Sequence, residues 1–119
     1  MRVFNRVEFL RLPAGVVYVK GEPWAFESMA IKGDTIRHGS GDDVGDFGCL
    51  YFAMGVEAGD SGEEMNRLDE MLENGASYPM NESYGRDGCF DSKECFLVFE
   101  PADLQKLIGM FNEAIALGV

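Results

Sequence analysis

The chain has 119 residues, 46% of them hydrophobic, and a formal net charge of −11. This length fits one domain with a real hydrophobic core, and the composition excludes wholesale disorder. Residues 39–100 contain fifteen acidic and three basic side chains, a field that excludes general binding of DNA or RNA phosphates. The same field suits a basic partner surface, or it simply keeps a small protein soluble.

The N-terminal part of the chain predicts a short helical turn followed by a strand. Asn5 is a preferred N-cap residue, and the apolar positions that follow it predict a turn running to Leu12. The segment "VVYVKG", residues 16–21, is rich in β-branched side chains and predicts a strand.

Residues 22–56 predict further strands separated by a loop. "EPWAF" indicates a strand start or an edge, with Trp24 as a core anchor, and a turn at Gly33-Asp34 is predicted to join the next two strands. "HGSGDDVGD", residues 38–46, predicts a mobile loop. "FGCLYFAMGV", residues 47–56, is apolar on both faces, which predicts a central strand covered on both sides or buried in an oligomer.

Two amphipathic helices are predicted in the C-terminal half. The first spans about 62–74, begins with a capping box formed by Ser61 and Glu64, and stops at Gly75. The second spans 101–117, with Pro101 in its first turn. Residues 76–93 between them predict a long irregular connection, and "ECFLVFE" after it predicts a strand. The second helix has an apolar stripe formed by Leu104, Leu107, Ile108, Phe111 and Ile115, and it ends at Gly118.

These elements predict a single α+β domain over residues 1–119. We expect a largely antiparallel sheet of about five strands, with the two main helices packed on one face.

The chemistry-bearing residues do not predict an enzyme, a metal site or a cofactor. Cys49, Cys89 and Cys95 are odd in number and form no CxxC pair, which argues against a disulfide framework or a zinc site. His38 is the one histidine, and it lies in a glycine-rich loop. A small enzyme that uses Cys89 or His38 is a minor alternative. The N-terminus has no long apolar core and no run approaches a membrane span, so we expect a cytoplasmic protein.

The strongest indication of a binding site is "YGRDGCF", residues 84–90, where one arginine lies between two glycines in the most acidic part of the chain. One interpretation is structural: Arg86 pairs with a nearby acid and fixes the loop. The other is functional, because the guanidinium group is a planar fork of donors suited to phosphate or carboxylate. The predicted ligand-binding residues are Arg86, Tyr84, Phe90, Lys20, Trp24 and Lys32.

An alternative binding surface is acidic. The polar face of the first long helix and the loop at residues 42–46 would occupy a basic groove on a partner, as an anti-CRISPR protein or a DNA mimic does. The residues of this surface are Glu63, Asp69, Glu70, Glu73, Asp42 and Asp43. The usual interpretation of such a helix face is a solvated surface with no binding role.

Two segments of the chain resemble small phage-encoded anti-defence proteins. They are "EFLRLPAGVVYVKGEPWAF", residues 8–26, and "GRDGCFDSKECFLVFEPADLQKLIGMF", residues 85–111. The layout looks like that of the Thoeris anti-defence signal sponges, and it covers the two ends of the chain but not the acidic middle. The resemblance implies a compact, non-enzymatic homo-oligomer that sequesters a cyclic-nucleotide-type immune signal in the host cytoplasm. No ligand residue is transferred from the family, because no defining motif aligns residue by residue.

Overall fold

A computed structural model describes residues 1–22, 25–37, 45–88 and 93–119 of the chain. The described residues form one six-stranded sheet in the order β1-β6-β2-β3-β4-β5, and every neighbouring pair is antiparallel. The α+β class is therefore confirmed, with six strands in place of about five. In chain order the elements are β1 (Arg2–Asn5), α1 (Arg6–Leu10), β2 (Val17–Glu22), β3 (Ala25–Arg37), β4 (Gly45–Val56), α2 (Ser61–Asn74), β5 (Met80–Arg86), β6 (Cys95–Val98) and α3 (Pro101–Leu117).

The hydrophobic core lies between α1 and one face of the sheet, which we call the core face. Phe9 of α1 stacks on Phe96 of β6, with ring centroids 4.0 Å apart, and meets Phe47 of β4 edge-on at 5.1 Å. Tyr18 of β2 completes this fully buried aromatic group. Such pairs add to the free energy gained from burying their area, so a five-residue helix is enough to fix this face.

Side chains alternate between the two faces of a strand, so the neighbours of the core residues point the other way. Val19, Ile31, Leu50 and Tyr84 lie on this second face, which we call the open face; Ile31 and Leu50 are register partners, as are Leu50 and Tyr84. None of these four side chains is fully buried.

The predicted helical turn after Asn5 is confirmed. The Asn5 side chain accepts the Glu8 N–H at 2.9 Å, and the Asn5 N–H donates to the Glu8 carboxylate at 3.2 Å, so the two residues form a capping box. The helix ends at Leu10, two residues earlier than predicted, and strand β1 in front of it was not predicted.

The predicted turn at Gly33-Asp34 is wrong. β3 continues through it, and the register shifts between Lys32 and Thr35 opposite a single β4 residue, Gly48. This is a β-bulge, which also uses turn-type residues. A Cβ on Gly33 would lie 3.1 Å from the Gly48 carbonyl group, so only glycine permits this approach of the two backbones.

The prediction that residues 47–56 form a central strand is confirmed, since β4 pairs with β3 on one side and β5 on the other. β5 itself lies in the segment predicted to be irregular. The strand predicted in "ECFLVFE" is β6, and the loop predicted at residues 38–46 lies mostly outside the described residues, with Gly45 and Asp46 opening β4.

The two long helices have nearly the predicted bounds. The N-cap of α2 is Asp60, whose carboxylate accepts the Glu63 N–H at 2.8 Å, so the predicted capping box of Ser61 and Glu64 is wrong. The helix ends at Gly75 in a left-handed conformation with φ 69°, as predicted. α3 begins at Pro101 and is capped by Gly118.

The expectation that the two helices pack on one face of the sheet is wrong. Neither α2 nor α3, both described in full, contains a fully buried residue. Leu72 is 86% exposed, and Phe111 is 55% exposed. The radius of gyration of 17.3 Å exceeds the roughly 13.5 Å typical of a compact chain of this length. The two helices therefore present apolar stripes that the rest of the described chain leaves uncovered.

Candidate functional site

Arg86 lies on the open face, tied to a buried carboxylate from the neighbouring strand. Its Nε donates to Asp46 Oδ2 at 2.9 Å, while Asp46 Oδ1 accepts the N–H groups of Phe47 at 2.8 Å and Gly88 at 2.9 Å. Gly88 adopts a left-handed φ of 66°, which favours glycine there. The carboxylate thus fixes both the strand end and the arginine.

The charge of Asp46 is stabilised although the residue is only 2% exposed. Burial acts to raise its pKa, but the N–H groups of Gly88 and Phe47 and the Arg86 guanidinium outweigh it and lower the pKa below the ordinary value. Asp46 is therefore ionised at neutral pH and holds Arg86 electrostatically.

Arg86 combines this anchor with solvent access. Its side chain is 55% exposed, and Nε is its one hydrogen-bonded nitrogen within the described part of the chain. A guanidinium has five N–H donors in a fixed fork, so most of its donor capacity faces outward. Because the side chain is already ordered, binding an anion would cost less side-chain entropy than it would at a free arginine.

An apolar hollow of about 240 Å³ lies on the open face of the sheet, next to the strand position of Arg86. Gly33 and Gly48 contribute bare backbone to it, and Ile31, Leu50 and Tyr84 contribute side chains. Arg86 is the register partner of Gly48, and Tyr84 is two residues before it on β5, so both point to this face. Alternate residues of a strand are about 7 Å apart, so one small ligand can contact both.

A second hollow, of about 410 Å³, adjoins the other side of Tyr84. Glu57 and Glu82 line it, together with Pro79, Met80 and Asn81. Its carboxylates repel anions, so Tyr84 separates an acidic hollow from the apolar hollow that lies next to Arg86.

Lys20 lies on the core face and belongs to a buried ion cluster. Its Nζ donates to Asp87 Oδ1 at 2.8 Å, and Arg6 Nη1 contacts both Asp87 and Glu94 at 3.1 Å. Arg6 Nη2 donates to the Gly45 carbonyl oxygen at 2.9 Å. Burial acts to lower the pKa of Lys20, but the hydrogen bond and the charge of Asp87 raise it above its ordinary value. This lysine is engaged within the fold.

Lys32 is likewise on the core side and buried. Its Nζ donates to Thr35 Oγ1 at 2.7 Å and to the Gly33 carbonyl oxygen at 3.0 Å, and it lies over the Phe9 ring. Burial lowers its pKa. Lys32 and Lys20 are therefore separated from Arg86 by the sheet.

Of the predicted ligand-binding residues, the structure brings together Arg86 and Tyr84. Trp24 and Phe90 lie outside the described residues, as do His38, Cys89, Asp42 and Asp43.

The acidic residues of α2 are partly engaged by local contacts. Glu63 accepts the Gly59 N–H and pairs with Arg67, and Glu70 accepts a hydrogen bond from the Tyr78 hydroxyl group. Asp69 and Glu73 are exposed. The acidic face is therefore present on the surface, with two of its four carboxylates tied to neighbours.

The predictions did not include Asp46, Asp87 and Arg6. Each is charged and nearly fully buried, and each finds its partner 39 to 88 positions away in sequence. No local pattern signals such pairs. The one available hint is that Asp46 directly precedes the strand predicted at residues 47–56.

Within the described ranges no group of three or more His, Cys, Asp or Glu side chains is placed to hold a metal ion. No helix in those ranges is long and apolar enough to cross a membrane. Comparison with protein-family models, curated proteins and solved structures gave no match.

Proposed function

We propose that this chain is a non-enzymatic binding protein that sequesters a small nucleotide-type signal on the open face of its sheet. The observation that supports this most directly is the half-exposed Arg86, which Asp46 holds opposite Gly48, a residue that lines the apolar hollow together with Tyr84. A phosphate group binds the outward nitrogens of Arg86, and the base packs against Tyr84.

The size and charge of the two hollows support one orientation of the proposed ligand. A volume of about 240 Å³ is below the 300–1,000 Å³ typical of pockets that enclose a whole ligand, so the hollow takes one ring and leaves the phosphate outside. Because Glu57 and Glu82 lie beyond Tyr84, the phosphate points toward Arg86. In a chain with a net charge of −11, the outward N–H donors of Arg86 are what this site offers to an anion.

The role that the resemblance at the two ends of the chain implies, a phage anti-defence protein acting in the host cytoplasm, agrees with a site that has a half-exposed arginine and a ring-sized hollow. Capture without cleavage requires only affinity, and a preorganised arginine contributes to that.

Titration calorimetry tests the proposal with AMP, 3′,5′-cyclic AMP and a cyclic dinucleotide as probes. We expect the wild-type chain to bind at least one probe and Arg86→Ala to lose at least tenfold in affinity. Lys106→Ala is the matched control, because it removes one exposed positive charge from α3. Failure of every probe to bind the wild-type chain, or equal binding by Arg86→Ala, would contradict the proposal.

A second candidate function is an acidic inhibitor of the anti-CRISPR or DNA-mimic type. It is favoured by α2, which has five acidic side chains and one arginine, with Asp69 and Glu73 exposed. We would measure binding to a CRISPR effector complex between 0.1 and 1 M salt, where the Debye length falls from about 10 to 3 Å. A steep loss of affinity with salt, and loss in the double variant Asp69→Lys/Glu73→Lys, supports inhibition; a flat salt dependence opposes it.

A further inference from the structure

α3 has an apolar stripe with no partner in the described part of the chain. Ile108, Phe111 and Ile115 are 50%, 55% and 74% exposed, while Leu104 and Leu107 nearer the sheet are partly buried. Only two residues separate β6 from the helix, and the exposure rises along it, so the helix leads away from its own sheet. A stripe of this kind normally faces another apolar surface.

The charges of α3 lie away from the stripe. With 3.6 residues per turn, Lys106 and Glu113 fall on the opposite side of the helix. Asp103 is engaged by the N-terminal ammonium group of Met1 at 2.8 Å. Copies of a chain with a net charge of −11 repel each other, so contact between copies is favoured where their surfaces have no charge. The stripe of α3 is such a surface, whereas α2 is strongly acidic.

The stripe is also self-complementary. If two copies of α3 lie antiparallel with their centre between residues 109 and 110, Leu104 faces Ile115 and Ile108 faces Phe111. On one flank of the same pairing Gln105 of one copy lies near Asn112 of the other, an uncharged polar pair. A two-fold interface uses the same patch on both subunits, so each contact occurs twice.

We propose that this protein forms a two-fold dimer through antiparallel pairing of the α3 stripes. The exposed stripe residues provide on the order of 1,000 Å² of buried surface across both copies, which is at the lower end for a specific interface. The existence of this dimer does not depend on ligand binding at Arg86.

Sedimentation velocity over a concentration series spanning two orders of magnitude tests the proposal on the full chain. We expect a reversible monomer–dimer equilibrium and at least a tenfold weaker dimer for Phe111→Lys. Met110→Lys is the matched control, because Met110 directly precedes Phe111, is 51% exposed and lies outside the stripe. Lysine lowers the net negative charge in both variants, so a weaker dimer cannot come from added repulsion.

A charge pair tests the antiparallel register. Leu104→Lys and Ile115→Glu should each weaken the dimer, while the double variant places a lysine opposite a glutamate at both ends and should recover most of the affinity. In a parallel pair the lysines face each other and no recovery follows. Far-UV circular dichroism confirms that each variant keeps its helices.

Four outcomes would overturn the proposal. These are a monomer at every concentration, equal effects of Phe111→Lys and Met110→Lys, no recovery in the double variant, and a dimer that survives Phe111→Lys but is lost in Leu50→Lys. The last result would assign the interface to the open face of the sheet.

Discussion

The cationic side chains on the two faces of the sheet differ in how far their donors are used within the fold. On the core face, Arg6 and Lys20 are buried and share the carboxylates of Asp87 and Glu94. On the open face, Arg86 has one bond to one carboxylate and leaves half of its side chain in solvent. A cation whose donors are used inside the fold stabilises the fold, whereas one that is anchored at a single nitrogen remains able to bind.

The partners of these cations show the same contrast. Asp87 receives two cations, so its charge is balanced from within the chain. Asp46 accepts hydrogen bonds from two backbone N–H groups and from Nε of Arg86. This contact positions the arginine and uses only one of its three nitrogens. We therefore expect substitutions of the core-face cations to lower stability, and substitution of Arg86 on the open face to lower binding.

The largest effect is expected in the aromatic core. Phe9→Ala removes the ring that stacks on Phe96 and contacts Phe47 and Tyr18, and should lower the free energy of unfolding by about 4 kcal/mol. Urea unfolding followed by tryptophan fluorescence measures this. Phe111→Ala, in dilute monomeric protein, is the matched control and should cost less than about 1 kcal/mol because that ring is half exposed. Similar losses for the two would show that the core is not where the structure places it.

The next effect concerns the buried ion cluster. Arg6→Ala removes a guanidinium that contacts both Asp87 and Glu94 at 3.1 Å, and should destabilise the fold by about 3 kcal/mol because two buried carboxylates lose a partner. Arg2→Ala removes an exposed arginine on β1 and should change stability by less than about 0.5 kcal/mol. A loss in Arg6→Ala as small as in Arg2→Ala would remove the distinction between the faces.

A smaller effect, dependent on pH, is expected at Asp46. Asp46→Asn should cost about 2 kcal/mol at pH 7, because an amide has one acceptor oxygen, whereas the carboxylate accepts from Phe47, Gly88 and Arg86 through two. The folded pKa of Asp46 is lowered from 3.8, so its contribution is full above that pH and is lost as the pH falls through the folded pKa. The difference between wild type and variant in urea unfolding should therefore shrink only below pH 3.8, as the pH falls through the folded pKa. A difference that stays constant would show that the charge of Asp46 is not what stabilises this end of the sheet.

The smallest effect on stability is expected at Arg86. Arg86→Ala removes a half-exposed ion pair, which is worth about 1 kcal/mol or less because solvent screens the arginine and Asp46 keeps its hydrogen bonds from the Phe47 and Gly88 N–H groups. Thermal unfolding should shift by only a few degrees. A loss comparable to that of Arg6→Ala would support the purely structural interpretation of this residue.

The sequence was most informative where structure is decided locally. α2 and α3 were predicted within a residue or two, because Gly75, Pro101 and Gly118 signal helix ends without reference to the rest of the chain. The N-cap was misassigned by one residue, since Asp60 and Ser61 are both good caps and only the backbone conformation distinguishes them.

The errors came where distant segments decide. β5, "MNESYGR", has no apolar alternation and is a strand because it pairs with β4. The bulge at Gly33-Asp34 has the residues of a turn, and only its close approach to Gly48 distinguishes the two. At the site, an ion pair of Arg86 was one of the two interpretations. Its partner, Asp46, is 40 positions away, so the residues around Arg86 could not predict which acid it would be. Lys20 and Lys32 were grouped with Arg86, although they lie on the opposite face of the sheet. The alternation of side chains assigns a residue to a face only when the strand register is known, and the sequence did not give the register.

The most direct test of the account measures binding and stability together on Arg86→Ala and wild type, using the same preparations for nucleotide titration and for urea unfolding. We expect Arg86→Ala to lose at least tenfold in affinity for the bound probe while its free energy of unfolding stays within about 1 kcal/mol of wild type. Retained binding together with a loss of about 3 kcal/mol would contradict it, and would make Arg86 a structural residue like Arg6.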